Sequence, residues 1–232
     1  MRHWLTSLFL ALAAIAASAT GCLAEDFHTR VKIEHTEDDK ASGNYGVVVW
    51  LTPLDSTTPP LPVVHPRLVQ KNKRFEPHLL VIPAGTSVEF PNEDPFFHNV
   101  FSLYKGKRFD LGLYEAGSSR TVRFDRPGVS FVFCNIHPEM SATVVVLETP
   151  YYAVSNSAGE VTIRDVPAGR YQLSVWYERS SPEALTRLAQ RISIPSASAS
   201  VLDVPEVLAA GVRHKNKYGQ DYEKSGSGYK PD

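Results

Sequence analysis

Short runs of β-branched and aromatic residues alternate with polar positions along most of the chain, and Gly, Pro, Asn and Asp clusters interrupt them every ~8–12 residues. This period-two pattern predicts strands at 28–35, 46–52, 67–70, 78–82, 86–91, 98–103, 120–125, 129–134, 142–148, 150–154, 160–164, 170–178, 190–195 and 200–204. The spacing is that of Greek-key sandwiches, so the expected fold class is all-β. One helix is predicted from Pro182 to about Gln190: Ser181 can cap it, Pro182 fits its first position and Glu183 complements its dipole.

Composition adds limits. Twenty-four Lys and Arg stand against 25 Asp and Glu, and no basic patch suggests a nucleic-acid partner. Met1-Arg2-His3, the apolar run Trp4 to Ala19 and the small residues Ser18 to Ala24 have the layout of a secretory signal peptide. Cleavage after Ala24 would discard Cys22, whereas a cut before Cys22 would leave it as a lipid anchor. Either route predicts a periplasmic or secreted protein. No second apolar run is long enough for a transmembrane segment. After the leader about 208 residues remain, enough for one or two small domains.

Cys134-Asn-Ile-His137-Pro-Glu-Met140, with His98 in Phe-Phe-His98-Asn-Val, changes the picture most. A strand ending at Cys134, in the alternating run Val129-Ser-Phe-Val-Phe-Cys134, followed by a tight turn would bring His137 and Met140 back around one point. The turn cluster Asn92-Glu-Asp-Pro95 places His98 on a loop. Singly, a cysteine or methionine is ordinary core filling. Jointly, a thiolate, two imidazoles and a thioether suit copper; zinc has little use for a thioether. Cys134 also has no disulfide partner in an oxidising compartment, and a metal bond would mask it.

These residues carry a family resemblance. Phe75-Glu-Pro77, Val81, Gly85, Val88-Glu-Phe90-Pro-Asn92, His98-Asn99-Val100, Phe124, Gly128, Phe131, Phe133-Cys134, His137 and Met140 resemble the plastocyanin- and amicyanin-like cupredoxins over residues 67–148. The resemblance implies a β-sandwich holding one type 1 (blue) copper ion. His98, Cys134 and His137 would be strong equatorial ligands and Met140 a weak axial one. Asn99 would hydrogen-bond across to the cysteine strand and tie the ligand loops together. Proteins of this build are periplasmic, some of methylamine-utilisation type.

The flanks suggest a second module. Residues 156–175, with Gly159 and the Pro167-Ala-Gly169 turn bracketing a strand, resemble a carboxypeptidase-regulatory, transthyretin-like sandwich. Residues 25–66 and 149–207 together supply seven strands. The economical arrangement is a copper domain at 67–148 inserted into that discontinuous sandwich, with a leader at 1–24 and a polar tail at 208–232 predicted to be loosely packed; two plain tandem domains, or independent edge strands at 28–35 and 46–52, are the alternative. His78 reads as a surface residue, and His28, His35, His65 and His214 have no ligand-spaced partners. Glu89, Glu93 and Asp94 read as turn solvation. No nucleophile and base stand at a telling spacing, so no enzyme is expected. The leading function is single-electron carriage between redox protein partners, docking through Pro95, Phe96, Phe97 and Pro138 and exchanging electrons at the His137 edge. Copper storage or delivery, and a non-redox scaffold or adhesion module, are the alternatives.

Overall fold

A computed structural model describes residues 24–35, 43–103, 106–195, 201–207 and 214–222. Residues 1–23 of the leader, with Cys22, lie outside the described residues; Ala24, after which one of the two cuts would fall, is described. Strands run in chain order as β1 (Ala24–Glu34), β2 (Val48–Pro53), β3 (Val69–Lys71), β4 (Arg74–Glu76), β5 (Leu79–Pro83), β6 (Thr86–Pro91) and β7 (His98–Ser102). There follow β8 (Phe109–Tyr114), β9 (Ser119–Phe124), β10 (Gly128–Cys134), β11 (Ser141–Leu147), β12 (Tyr152–Val154), β13 (Glu160–Pro167) and β14 (Gly169–Trp176). Helix α1 (Pro182–Leu188), β15 (Gln190–Ile194) and β16 (Val201–Pro205) complete the series. No helix among the described residues is long and apolar enough to cross a membrane.

The fold is all-β and built of sandwiches. β1 shows the period most plainly: Phe27, Thr29, Val31 and Ile33 are buried, while the charged and polar residues between them are exposed. It pairs antiparallel with β13 and parallel with β16. A second sheet of order β12-β2-β14-β15 faces this one, and Val31, Val49, Leu51, Ile163, Leu173 and Val204 fill the space between. The first two strands of the chain are therefore sheet partners of strands beyond residue 149. α1 packs along β14 and β16. Ser181 caps it by accepting the Ala184 amide at 3.2 Å, and the helix ends at Leu188, short of Gln190, which begins β15.

Residues between β2 and β12 form the other sandwich. Its larger sheet has the order β5-β11-β10-β7-β8, and the pairs β3–β4 and β6–β9 close the opposite side. Leu68, Phe90, Val100, Phe124, Val132 and Val144 form its core, together with Cys134 and Met140.

The sandwiches share a third core. Val48 of β2 meets Val145 and Leu147 of β11, with Trp50, Leu79, Val81 and Trp176 around them. β2 and β11 are thus covered on both faces, which explains their unbroken apolar runs Val47-Val-Val-Trp50 and Val144-Val-Val-Leu147. Polar ties cross at the edge of this junction: His78 Nε2 lies 2.7 Å from Glu178 Oε2, and Thr143 Oγ1 donates to Glu178 Oε1 at 2.9 Å.

Two strands lie where the alternation predicts none. β4 forms a hairpin with β3 through Asn72 and Lys73, both with φ near +54°, a geometry usually left to Asn-Gly. β8 contains Gly112 at φ 69° and pairs with β7 across a register shift between Asn99 and Phe101.

Candidate metal centre

The centre is assembled by register. β10 lies between β11 and β7, and its last residue Cys134 stands opposite Val100, two residues along β7 from His98. His98 therefore opens a strand instead of sitting on a loop, as the preceding turn cluster had suggested. Beyond Cys134 the chain turns back: Met140 donates its amide to the His137 carbonyl at 3.1 Å, and Cys134 donates to the Met140 carbonyl at 3.2 Å. This closed loop brings His137 to the cysteine.

His98, Cys134 and His137 form a cluster able to hold a metal ion. His98 Nδ1 and His137 Nδ1 are 3.2 Å apart, and Cys134 Sγ lies 3.5 Å from the first and 3.6 Å from the second. The mean edge divided by √3 puts an equidistant point about 2.0 Å from each atom, close to metal–imidazole bond length and slightly short of metal–thiolate length. The donor set fits a transition metal without rebuilding. Met140 is fully buried in the same core, beside Cys134.

His98 is held in the form that can ligate. Its Nε2 lies 2.8 Å from Asp94 Oδ2, and because a carboxylate only accepts, the ring proton sits on Nε2 and the Nδ1 lone pair faces the cluster. Asp94 also accepts the amides of Asn72 at 2.6 Å and Lys73 at 3.0 Å. Burial raises its pKa, but the Lys73 amide, His98 and the Asn72 amide outweigh this and hold the carboxyl below its ordinary value. Asp94 is therefore a buried brace between the β3–β4 hairpin and His98, and not the solvated turn residue expected from Asn-Glu-Asp-Pro. Asn92 sets the loop: its Oδ1 accepts the Asp94 amide at 3.0 Å and its Nδ2 donates to the Phe96 carbonyl at 2.8 Å.

Burial pushes the Cys134 thiol up, against amide hydrogen bonds from Ile136, Asn99 and His137 that pull it down; the net direction is upward. Those amides are arranged for a thiolate, which a bound metal would enforce. His137 is lowered by burial first and by the facing His98 second, which favours the neutral form that a metal can bind.

Asn99 ties the strands together, but not with its side chain. Its carbonyl accepts the Asn135 amide at 2.8 Å and its amide bonds Cys134, whereas its side chain donates to Asp110 Oδ1 at 2.7 Å and the Gly112 carbonyl at 3.0 Å. The side chain points to β8 because that bulged strand, invisible in the pattern, offers it acceptors.

Among the three clustered residues, His98 and Cys134 are fully buried and His137 is partly exposed. Phe96 packs against both imidazoles, its ring centre 5.3 Å from that of His98 and 5.5 Å from that of His137. Phe97 is 51% exposed, and Pro95, Pro138 and Ile136, at 44%, are exposed with it. Ile136 was not among the expected surface residues. The described part of the polar tail, 214–222, packs on the back of the cysteine loop instead of lying loose: His214 stacks on Phe133 with ring centres 3.9 Å apart.

No family model and no curated protein matches the chain. Solved structures are similar over part of its length. A Cu-containing nitrite reductase (NirK) from Thermus scotoductus SA-01 is 27% identical over 42% of this chain, with a TM-score of 0.35; the chain spans a quarter of that protein. A purple cupredoxin from Nitrosopumilus maritimus is 26% identical over 35% of this chain and 99% of its own, at a TM-score of 0.32. Amicyanin from Paracoccus versutus (Thiobacillus versutus) is 23% identical over 38% of this chain and 85% of its own, at 0.33.

Proposed function

We propose that the protein is a periplasmic or secreted blue copper protein that carries single electrons between redox protein partners and is not itself an enzyme. The observation that carries this is the triangle of His98 Nδ1, Cys134 Sγ and His137 Nδ1, whose centre lies at metal-bond distance from all three. A thiolate with two imidazoles, and the Met140 thioether in the same core, favours copper over zinc. Bound copper would supply a one-electron couple. The chain's own residues do the rest: Asp94 fixes the His98 tautomer, three amides face the thiolate, and the buried surroundings keep water from the donors.

Electrons would enter and leave at His137, since His98 and Cys134 are enclosed. Phe97, Ile136, Pro95 and Pro138 frame that edge with apolar surface, suited to brief docking. The strand pairings support a copper domain at 67–148 inserted in a discontinuous second sandwich, 25–66 with 149–207, that acts as its scaffold.

The test is the visible spectrum of copper-loaded, oxidised protein. A thiolate-to-copper charge-transfer band is expected, and Cys134→Ser should abolish it. Absence of the band, or strong preference for zinc under matched conditions, would sink the reading. Phe97→Glu should slow electron exchange with a surrogate partner while leaving the band unchanged. If charges throughout this patch have no effect on exchange, copper storage becomes the better account.

A further inference from the structure

The carbonyl of Cys134 lies where β10 ends, and a residue distant in sequence meets it: the Tyr222 hydroxyl donates to it at 2.7 Å. His214 Nε2 lies 2.8 Å from the Pro138 carbonyl, while its ring stacks flat on Phe133, the residue before the cysteine. The Lys217 amide donates to Asn135 Oδ1 at 2.9 Å. Its ammonium pairs with Asp110 at 2.8 Å, and the other oxygen of Asp110 holds the side chain of Asn99. Asn99 in turn bonds the cysteine sulfur through its amide. The segment is stiffened from within, since Asn216 Oδ1 accepts the amides of Tyr218 and Gln220, both at 3.0 Å.

These contacts are concentrated. They fall on Phe133, Cys134, Asn135 and Pro138, or on the carboxylate one bond from Asn99. A polar segment merely lying along a surface would spread its bonds. We propose that residues 214–222 are a clamp on the Cys134–Met140 loop, with Tyr222 and His214 as positioning residues for the metal-binding thiolate. The clamp fixes the carbonyls on either side of His137 and so limits how far the loop can open. Its effect on metal rests on the copper reading above; its effect on the loop does not.

The experiment compares full-length protein with Tyr222→Phe, which loses one hydroxyl, and with the His214→Ala/Tyr222→Phe double variant. Amide hydrogen exchange is followed by NMR in the metal-free state. Amides of Asn135, Ile136, His137 and Met140 should exchange roughly fivefold faster in Tyr222→Phe, the factor expected for one net hydrogen bond, and faster again in the double variant. Val31 and Leu173, in the other sandwich, should be unchanged and so report that the fold is intact. Copper transfer from loaded protein to a chelator should quicken in the same order. Loop exchange equal to wild type in the single variant, and in the double variant where that folds, would overturn the clamp. Faster loop exchange in a protein that never forms the charge-transfer band would uphold the clamp and refute the copper reading.

Discussion

Replacing Asp94 by asparagine should weaken both the metal-free fold and the metal site, for one reason: an amide can accept at only one of the two places where the carboxylate accepts. Oδ1 takes the Asn72 amide, while Oδ2 takes the Lys73 amide and His98 Nε2. If the asparagine NH2 replaces Oδ2, it faces two donors. His98 can relieve this only by moving its proton to Nδ1, which fills the position a metal needs. If the NH2 replaces Oδ1, it meets the Asn72 amide at a former separation of 2.6 Å. Either orientation loses one or two charge-assisted hydrogen bonds at ~1.5–3 kcal/mol each. A loss of about 3 kcal/mol follows, roughly 10 °C in the unfolding midpoint of a chain this size. Loss of the carboxylate behind a ligating imidazole should also weaken metal binding by ~10–100-fold. Urea unfolding of metal-free protein measures the first effect and competition against a copper chelator the second. A variant within about 0.5 kcal/mol of wild type, with unchanged affinity, would refute the brace.

Val145→Asp would bury an unpaired charge between the sandwiches and should cost ~3–5 kcal/mol, seen as a lower urea midpoint, because Val145 is enclosed at the shared core. The hydrogen bond to Glu178 raises the pKa of His78; burial raises that of Glu178, but His78 outweighs it and the net is downward. His78 therefore contributes stability that is complete below its unfolded pKa near 6.5 and lost as pH rises through its higher folded value. Glu178 contributes above its unfolded value near 4.5 and loses it as pH falls. The stability gap between wild type and His78→Asn, at most ~1 kcal/mol for so exposed a pair, should be largest between pH 4.5 and 6.5 and shrink as pH rises above 6.5; a gap that widened with pH would contradict this assignment. Ser181→Ala should lower stability by about 1 kcal/mol in the same urea assay through loss of the α1 cap.

The cysteine loop was legible because strand alternation ends abruptly at a donor and two more donors follow at turn spacing. β1 and α1 were legible for similar reasons: a strict period in one, a Ser-Pro-Glu start in the other. What escaped was structure made by hydrogen bonds to main chain. The Asn72–Lys73 turn is tolerated because Asp94 accepts both its amides, a tie spanning more than 20 residues that no local pattern records. β8 escaped because Gly112 breaks its period. Tyr222 and His214 sit in a segment without apolar periodicity, and their acceptors are carbonyls of other residues. Asp94 was hidden by company: between Glu93 and Pro95 it resembles any turn acid.

The shared core of β2 and β11 has a consequence for the life of the protein in the presence of proteases. Neither sandwich can open without stripping cover from the other, so the free energy of a metal bound at His98, Cys134 and His137 would be felt by strands at both ends of the chain. A metal present at a hundredfold its dissociation constant would add about 2.7 kcal/mol against opening, or roughly a hundredfold fewer opened molecules. Cleavage sites far from the donors would be shielded to the same degree. Starvation for the metal would then be registered as faster turnover of the entire polypeptide, scaffold included.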